Sequence, residues 1–224
     1  MHLFFLLCLA SVVAHAGFGV KPTIITMNVS RGELNGWLEI AHTRGNTPHA
    51  IELAVNEREL DLEGHVKNNP APVKDFVIIP SQIMLLPGKS TNVQVIYKGP
   101  KLQADKAYIL HVKELPLPEG QKDAILSMGL AVRVNYNVGI LMDMGKPSAL
   151  TFVSSKTLDS GKVEVIMENK SNGRFSLANM NIYANGNKVV SFPGEINSVM
   201  PGQQRRFVFE YNKPLTAQEI RFGK

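Results

Sequence analysis

The stretch that most constrains this chain is AILSMGLAVRVNYNVGIL, residues 124–141. Its even positions, Leu126, Met128, Leu130, Val132, Val134, Tyr136, Val138 and Ile140, are apolar. Its odd positions, among them Ser127, Gly129, Arg133, Asn135 and Asn137, are mostly small or polar. Such alternation puts the apolar side chains on one face of a β-strand. An apolar face this long needs about 15 residues, where an ordinary strand has about 5–6. One sandwich is not tall enough to bury it. The second half, Val132 to Ile140, can pack in the chain's own core; the first half needs another cover.

The rest of the chain is β-rich as well. No 3.6-residue periodicity runs longer than about ten residues. Strand signals recur at Val20–Met27, Gly36–Ala41, Ala50–Val55, Phe76–Ile79, Thr91–Tyr97 and Tyr108–Leu115. After a hinge-like MDMGKP at 142–147 they continue at Leu150–Val153, Lys162–Glu168, Phe175–Tyr183, Lys188–Phe192 and Arg205–Tyr211. Turn clusters such as LPGKS, NKSNGR, ANGN and MPGQQ separate them. The expectation is an all-β chain of two sandwiches in tandem. Trp37, the only tryptophan, is expected in the first core.

The chain opens MHLFFLLCLASVVAHAGFG, an apolar block followed by Ala14-His15-Ala16. This reads as a secretory signal peptide over residues 1–16 with an A-x-A cleavage site. A lipoprotein reading through Cys8 is poor, since Leu7 stands where a small residue is needed. The single cysteine leaves with the signal, so the mature chain would enter an oxidising compartment without disulfides.

Catalytic signatures are missing. His42, His49, His65 and His111 form no i, i+4 helical pair, and no HExxH, GxSxG, P-loop or GxGxxG occurs. His42 and His49 flank one loop, and surface histidines are the ordinary reading there. Glu57 to Asp61 reads as an exposed charged loop. No enzyme activity, cofactor or metal is expected. The net charge of +5 and pI near 9.3 come from scattered lysines and arginines. That fits negatively charged partners better than nucleic acid, and no segment after the leader is apolar enough for membrane insertion.

An apolar strand left in water forfeits about 1.5–3 kcal/mol per buried Leu or Met and templates aggregation. The natural use of such an edge is β-augmentation, in which the strand pairs with another chain and seats alternate side chains in its groove.

Several stretches carry a resemblance. They are FVIIPSQIMLLPGKSTNVQVIYKGP (76–100), YILHVKELPLP (108–118), the long strand, NKSNGRFSLANMNIYANG (169–186) and VMPGQQRRFVFE (199–210). In order and spacing they resemble the periplasmic pilus-assembly chaperones of the chaperone–usher pathway. The resemblance implies two immunoglobulin-like domains, 17–143 and 144–224, set at an angle with a cleft between them. It implies a periplasmic protein that caps pilin subunits by donor-strand complementation and hands them to an outer-membrane usher. The donor residues would be Leu126, Met128, Leu130 and Val132. Self-association of the free chaperone through the same edge stays open.

The family also binds the subunit's terminal carboxylate with a basic pair, one residue on the first strand and one on the long strand. An ungapped reading puts these positions on Thr26 and Asn135, neither basic. The nearest basic residues are Arg133, with Lys21 or Arg31 as partner. The alternative reading is a secreted two-domain structural or adhesive module, which would carry its own N-terminal donor extension. Here the apolar excess lies mid-chain, beside the hinge.

Overall fold

The computed structural model describes residues 17–67, 72–117, 133–158, 161–192 and 198–224. Leu126, Met128, Leu130 and Val132 lie outside the described residues. Among the described residues nine strands precede the hinge: β1 (Phe18–Lys21), β2 (Ile24–Asn28), β3 (Asn35–His42), β4 (His49–Glu57), β5 (Phe76–Ile79), β6 (Gln82–Leu85), β7 (Ser90–Tyr97), β8 (Lys106–Leu115) and β9 (Asn135–Asp143). They form a four-stranded sheet, β1-β3-β7-β5, and a five-stranded sheet, β2-β9-β8-β4-β6. The inward faces of the two sheets meet in one core. Leu38, Ile40, Val93 and Val95 come from the first, and Ile51, Leu110, Val138, Ile140 and Met142 from the second. On β9, Val138, Ile140 and Met142 are buried in this core and Tyr136 packs against it, so the even parity read from 124–141 marks the core-facing side; Leu141 is buried as well, on the other face.

The second sandwich comprises β10 (Thr151–Thr157), β11 (Lys162–Glu168), β12 (Phe175–Ser176), β13 (Met180–Ala184), β14 (Asn187–Phe192), β15 (Ser198–Val199), β16 (Gln204–Glu210) and β17 (Ile220–Gly223). Its sheets run β10-β11-β16, β14-β13-β17 and β12-β15. They enclose a separate core that includes Val163, Val165, Leu177, Ile182 and Phe209.

Three expectations change. The Val20–Met27 segment is two strands in different sheets, because Pro22 offers no N–H to continue a ladder. The Phe175–Tyr183 segment also breaks in two, with Asn179 in the left-handed region at φ 57°. Trp37 is not in the core: it is 56% exposed. On β3 it shares the outward face with Glu39, while Leu38 and Ile40 point in; parity outweighs side-chain size.

Two joints tie the sandwiches together. In the first, Asp105 is buried and accepts the Met144 N–H on Oδ1 (2.7 Å) and the Arg174 N–H on Oδ2 (2.8 Å). Its own N–H donates to the Asn172 carbonyl (2.9 Å). In the second, the segment after β4 lies against β16. Arg206 N–H donates to the Leu62 carbonyl (2.8 Å) and its Nη1 pairs with Glu63 Oε1 (2.8 Å). Arg205 Nη1 donates to the Glu63 carbonyl (2.7 Å). The expected exposed charged loop is therefore the start of an inter-sandwich strap.

Glycine is required at the first joint. A Cβ on Gly173 would run into the Lys146 and Pro147 carbonyl oxygens, and backbone cannot rotate away. Gly173→Ala is expected to destabilise the protein by about 1–3 kcal/mol, measured as a lower urea midpoint. An unchanged midpoint would mean that the joint is loose.

Candidate functional site

β9 is paired with β8 from Asn135 to Met142, but with β2 only from Gly139 to Asp143. Among the described residues no strand covers Asn135–Val138 on the other side. The Gly139 N–H donates outward, to the Thr23 carbonyl (2.9 Å), while the Val134 carbonyl accepts from Glu114 on β8 (3.3 Å). Successive residues of a strand alternate sides. Arg133, Asn135 and Asn137 therefore aim their N–H and C=O groups at the open edge. Among the described residues these backbone groups have no strand partner, and such a row is ready to accept one.

The root of that edge is held by Glu114. Its Oε2 accepts the Val134 N–H (2.9 Å) and its Oε1 lies 2.7 Å from His49 Nδ1. The His49 ring is mostly buried and packs against Phe18 and His42. His49 is thus no surface histidine; it orients a carboxylate. Among the described residues no three His, Cys, Asp or Glu side chains gather where a metal could be held. Glu114→Ala is expected to free the Val134 amide, raising its hydrogen exchange about tenfold or more, since a charge-assisted bond is worth about 1.5–3 kcal/mol. Glu114→Gln keeps an acceptor oxygen and should recover most of that protection.

Where β2 closes the edge, a cavity of about 290 Å³ opens. Thr23, Ile24, Asn137 and Gly139 line it from the strands, Arg58 from the end of β4 and Ser198 from the second sandwich. Ile109 and Leu141 face outward on their sheet yet are buried, at its apolar floor. The half-buried Arg58 has its proton affinity lowered, first by burial and then by the Arg174 guanidinium from the second sandwich. Arg205 is lowered too, by burial and then by Arg58, against Asp61 and Glu63. Arg205 is tied to backbone carbonyls. Neither the Arg58 nor the Arg174 side chain has a hydrogen bond or ion pair among the described residues. The two guanidinium groups, one from each sandwich, are near enough for their charges to repel.

The basic residues suggested by the sequence lie elsewhere. Arg133 is exposed just before β9. Lys21 is exposed at the end of β1, opposite Glu39. Arg31 is exposed in the turn after β2, and β2 ends with Asn28 beside Asp143. Arg31 and Arg133 therefore sit at opposite ends of β9, which at about 3.3 Å per residue is more than ~25 Å long. The structure does not bring that pair together. The ungapped pair separates as well, since Thr26 pairs with Leu141 and Asn135 with Lys113. The strands' contribution to the cleft is Thr23 and Asn137, both neutral. Sequence reading missed Arg58 and Arg174 because each sits in a polar turn-like stretch that looks solvated, and only the fold makes them neighbours.

No family model and no curated protein sequence matches the chain. Solved structures do. A chaperone–tip adhesin complex of CFA/I fimbriae biogenesis aligns with a TM-score of 0.58 at 12% identity, over 93% of this chain and 99% of that one. The CsuC–CsuE chaperone–tip adhesion subunit pre-assembly complex of archaic Csu pili from Acinetobacter baumannii gives 0.56 at 14% identity, over 86% and 87%. The SafB chaperone with SafA pilin from Salmonella enterica gives 0.55 at 13%, over 92% and 95%. At such identities the likeness speaks to fold. The fold is the all-β, two-domain immunoglobulin-like architecture of these chaperones.

Proposed function

Starting from the fold of the periplasmic pilus chaperones, we propose that this chain is itself an assembly chaperone that caps pilin or adhesin subunits by lending them a strand. The observation that carries the reading is the open edge of β9 at Asn135–Val138, upstream of which the apolar parity continues through Val132, Leu130, Met128 and Leu126. Those four side chains enter the groove of a subunit whose own sandwich lacks a strand. Residues 1–16 are the export signal, 17–143 form the donor domain and 144–224 the second domain. The protein works in the periplasm and passes its subunit to an outer-membrane usher. The cycle needs no enzyme chemistry and no cofactor.

The cleft supports a polarity for the pairing. A strand laid along the open edge meets β2 at Gly139 and has to end there, at the mouth of the cavity holding Arg58. Unpaired guanidiniums repel an amino terminus and attract a carboxylate. The incoming strand therefore runs parallel to β9, with its C-terminus in the cleft. The test is periplasmic co-expression with a candidate pilin. A soluble 1:1 complex by size exclusion is expected; a pilin degraded equally with and without this chain would contradict the reading.

A further inference from the structure

We infer that the N-terminal residues position the root of the lent strand: Gly17 leaves room for the His49 ring, and His49, through Glu114, holds Val134 where the open edge of β9 begins. The inference rests on the proposed lending of the segment upstream of Val134, and goes beyond it by assigning the residues that aim that segment.

Gly17, the first residue left by cleavage after Ala16, is pinned. Its carbonyl accepts the Thr43 N–H (2.9 Å) and the Arg44 N–H (3.3 Å). A Cβ at this position would stand 2.5 Å from His49 Nε2 and 2.6 Å from its Cε1. Such distances are well inside van der Waals contact, so one partner has to move. The mostly buried His49 ring has little room for that. It packs against the Phe18 and His42 rings, with centroids 5.3 and 5.2 Å away. Its Nδ1 lies 2.7 Å from Glu114 Oε1, and Glu114 Oε2 accepts the Val134 N–H at 2.9 Å. A displaced ring takes the carboxylate with it, and the carboxylate then lets go of Val134. Phe18 adds a second, direct tie. Its carbonyl accepts the Tyr136 hydroxyl (2.7 Å), and the two rings meet edge to face at 5.3 Å. Val134 and Tyr136 flank the start of β9, which β8 supports on one side and, among the described residues, no strand supports on the other. A strand held on one side takes its direction from such ties. β1 belongs to the opposite sheet, so the ties leave the edge itself open to a subunit.

The test is Gly17→Ala in the full chain, exported with its signal, with N-terminal sequencing to confirm cleavage after Ala16. Hydrogen exchange at the Val134 amide of the free chain should rise about tenfold, the scale of a weakened charge-assisted bond. Soluble complex with a co-expressed pilin should fall in parallel. Val95→Ala, a core change at the other end of the same sheet as β1, should lower the urea midpoint and leave both readouts alone. His49→Asn keeps an N–H donor on Cγ, where Nδ1 stands, and lacks the ring atoms that the new Cβ would strike. Gly17→Ala/His49→Asn should therefore recover both the protection and the capture, which a plain packing defect would not. His49→Ala, with Gly17 intact, removes the donor and should raise Val134 exchange as Gly17→Ala does; it decides alone if Gly17→Ala fails to fold. If Val134 exchange stays at the parent level in these variants, the relay is wrong, and capture by the parent leaves the edge reading standing. If exchange rises while capture is unchanged, the lent segment is not aimed from Val134 and the inference falls. If the parent itself captures no pilin, the edge reading falls and the inference with it.

Discussion

Leu126→Glu/Leu130→Glu is expected to abolish soluble subunit capture while leaving the free chain folded. The two leucines share the sequence parity of Val138, Ile140 and Met142, which are buried in the first core, but they precede these residues in the segment proposed to enter a subunit groove. Each buried leucine is worth about 1.5–3 kcal/mol, so losing both weakens the complex by about a thousandfold. Burying glutamates adds a desolvation cost. Co-expressed pilin should then aggregate or be degraded. The melting temperature of the free chain should stay within a degree or two. A normal complex would mean that these residues serve the chain's own sandwich. A chain that no longer folds would mean the same.

The second large effect is expected at Asp105. Its carboxylate is buried and satisfies two amides from different parts of the chain, Met144 in the hinge and Arg174 in the second sandwich. Asp105→Ala leaves both donors without an acceptor in a site closed to water. At about 1–3 kcal/mol for each of the two unsatisfied groups, the joint loses about 2–6 kcal/mol. Because the two cores are separate, the variant should unfold in two urea transitions where the parent shows one. Asp105→Asn keeps one acceptor oxygen and should fall between. A single unshifted transition in Asp105→Ala would show that the strap alone sets the coupling.

What the sequence revealed follows from the kind of signal each feature leaves. Strand alternation is local, so β3, β4, β7, β8 and β11 were legible within a residue or two. The parity of β9 was legible for the same reason. β6, β15 and β17 have four residues or fewer, too short to complete a period. Trp37 was misplaced although its own segment held the answer, since it alternates in step with Glu39 rather than Leu38. Long-range charge placement left no local trace. Arg58 lies in a Glu-Arg-Glu run and Arg174 in an Asn-Gly-Arg turn, and either motif is ordinary surface. Only the fold, with the 172–174 loop docked on Asp105, brings their charges near each other. The same holds for Glu114, whose role depends on Val134 arriving beside it from 20 residues away.

The most direct measurement is backbone hydrogen exchange at Asn135 and Asn137 in the free chain and in its complex with a pilin. In the free chain these N–H groups face an uncovered edge and should exchange fast, while Tyr136 and Val138, directed at β8, are protected. On subunit binding Asn135 and Asn137 should slow by at least about a hundredfold, and Val138 should scarcely change. Slow exchange of Asn135 and Asn137 only in the complex is the result the account predicts. If they stay fast in a stable complex, the subunit is held by some other surface, and β9 is not the strand that is lent.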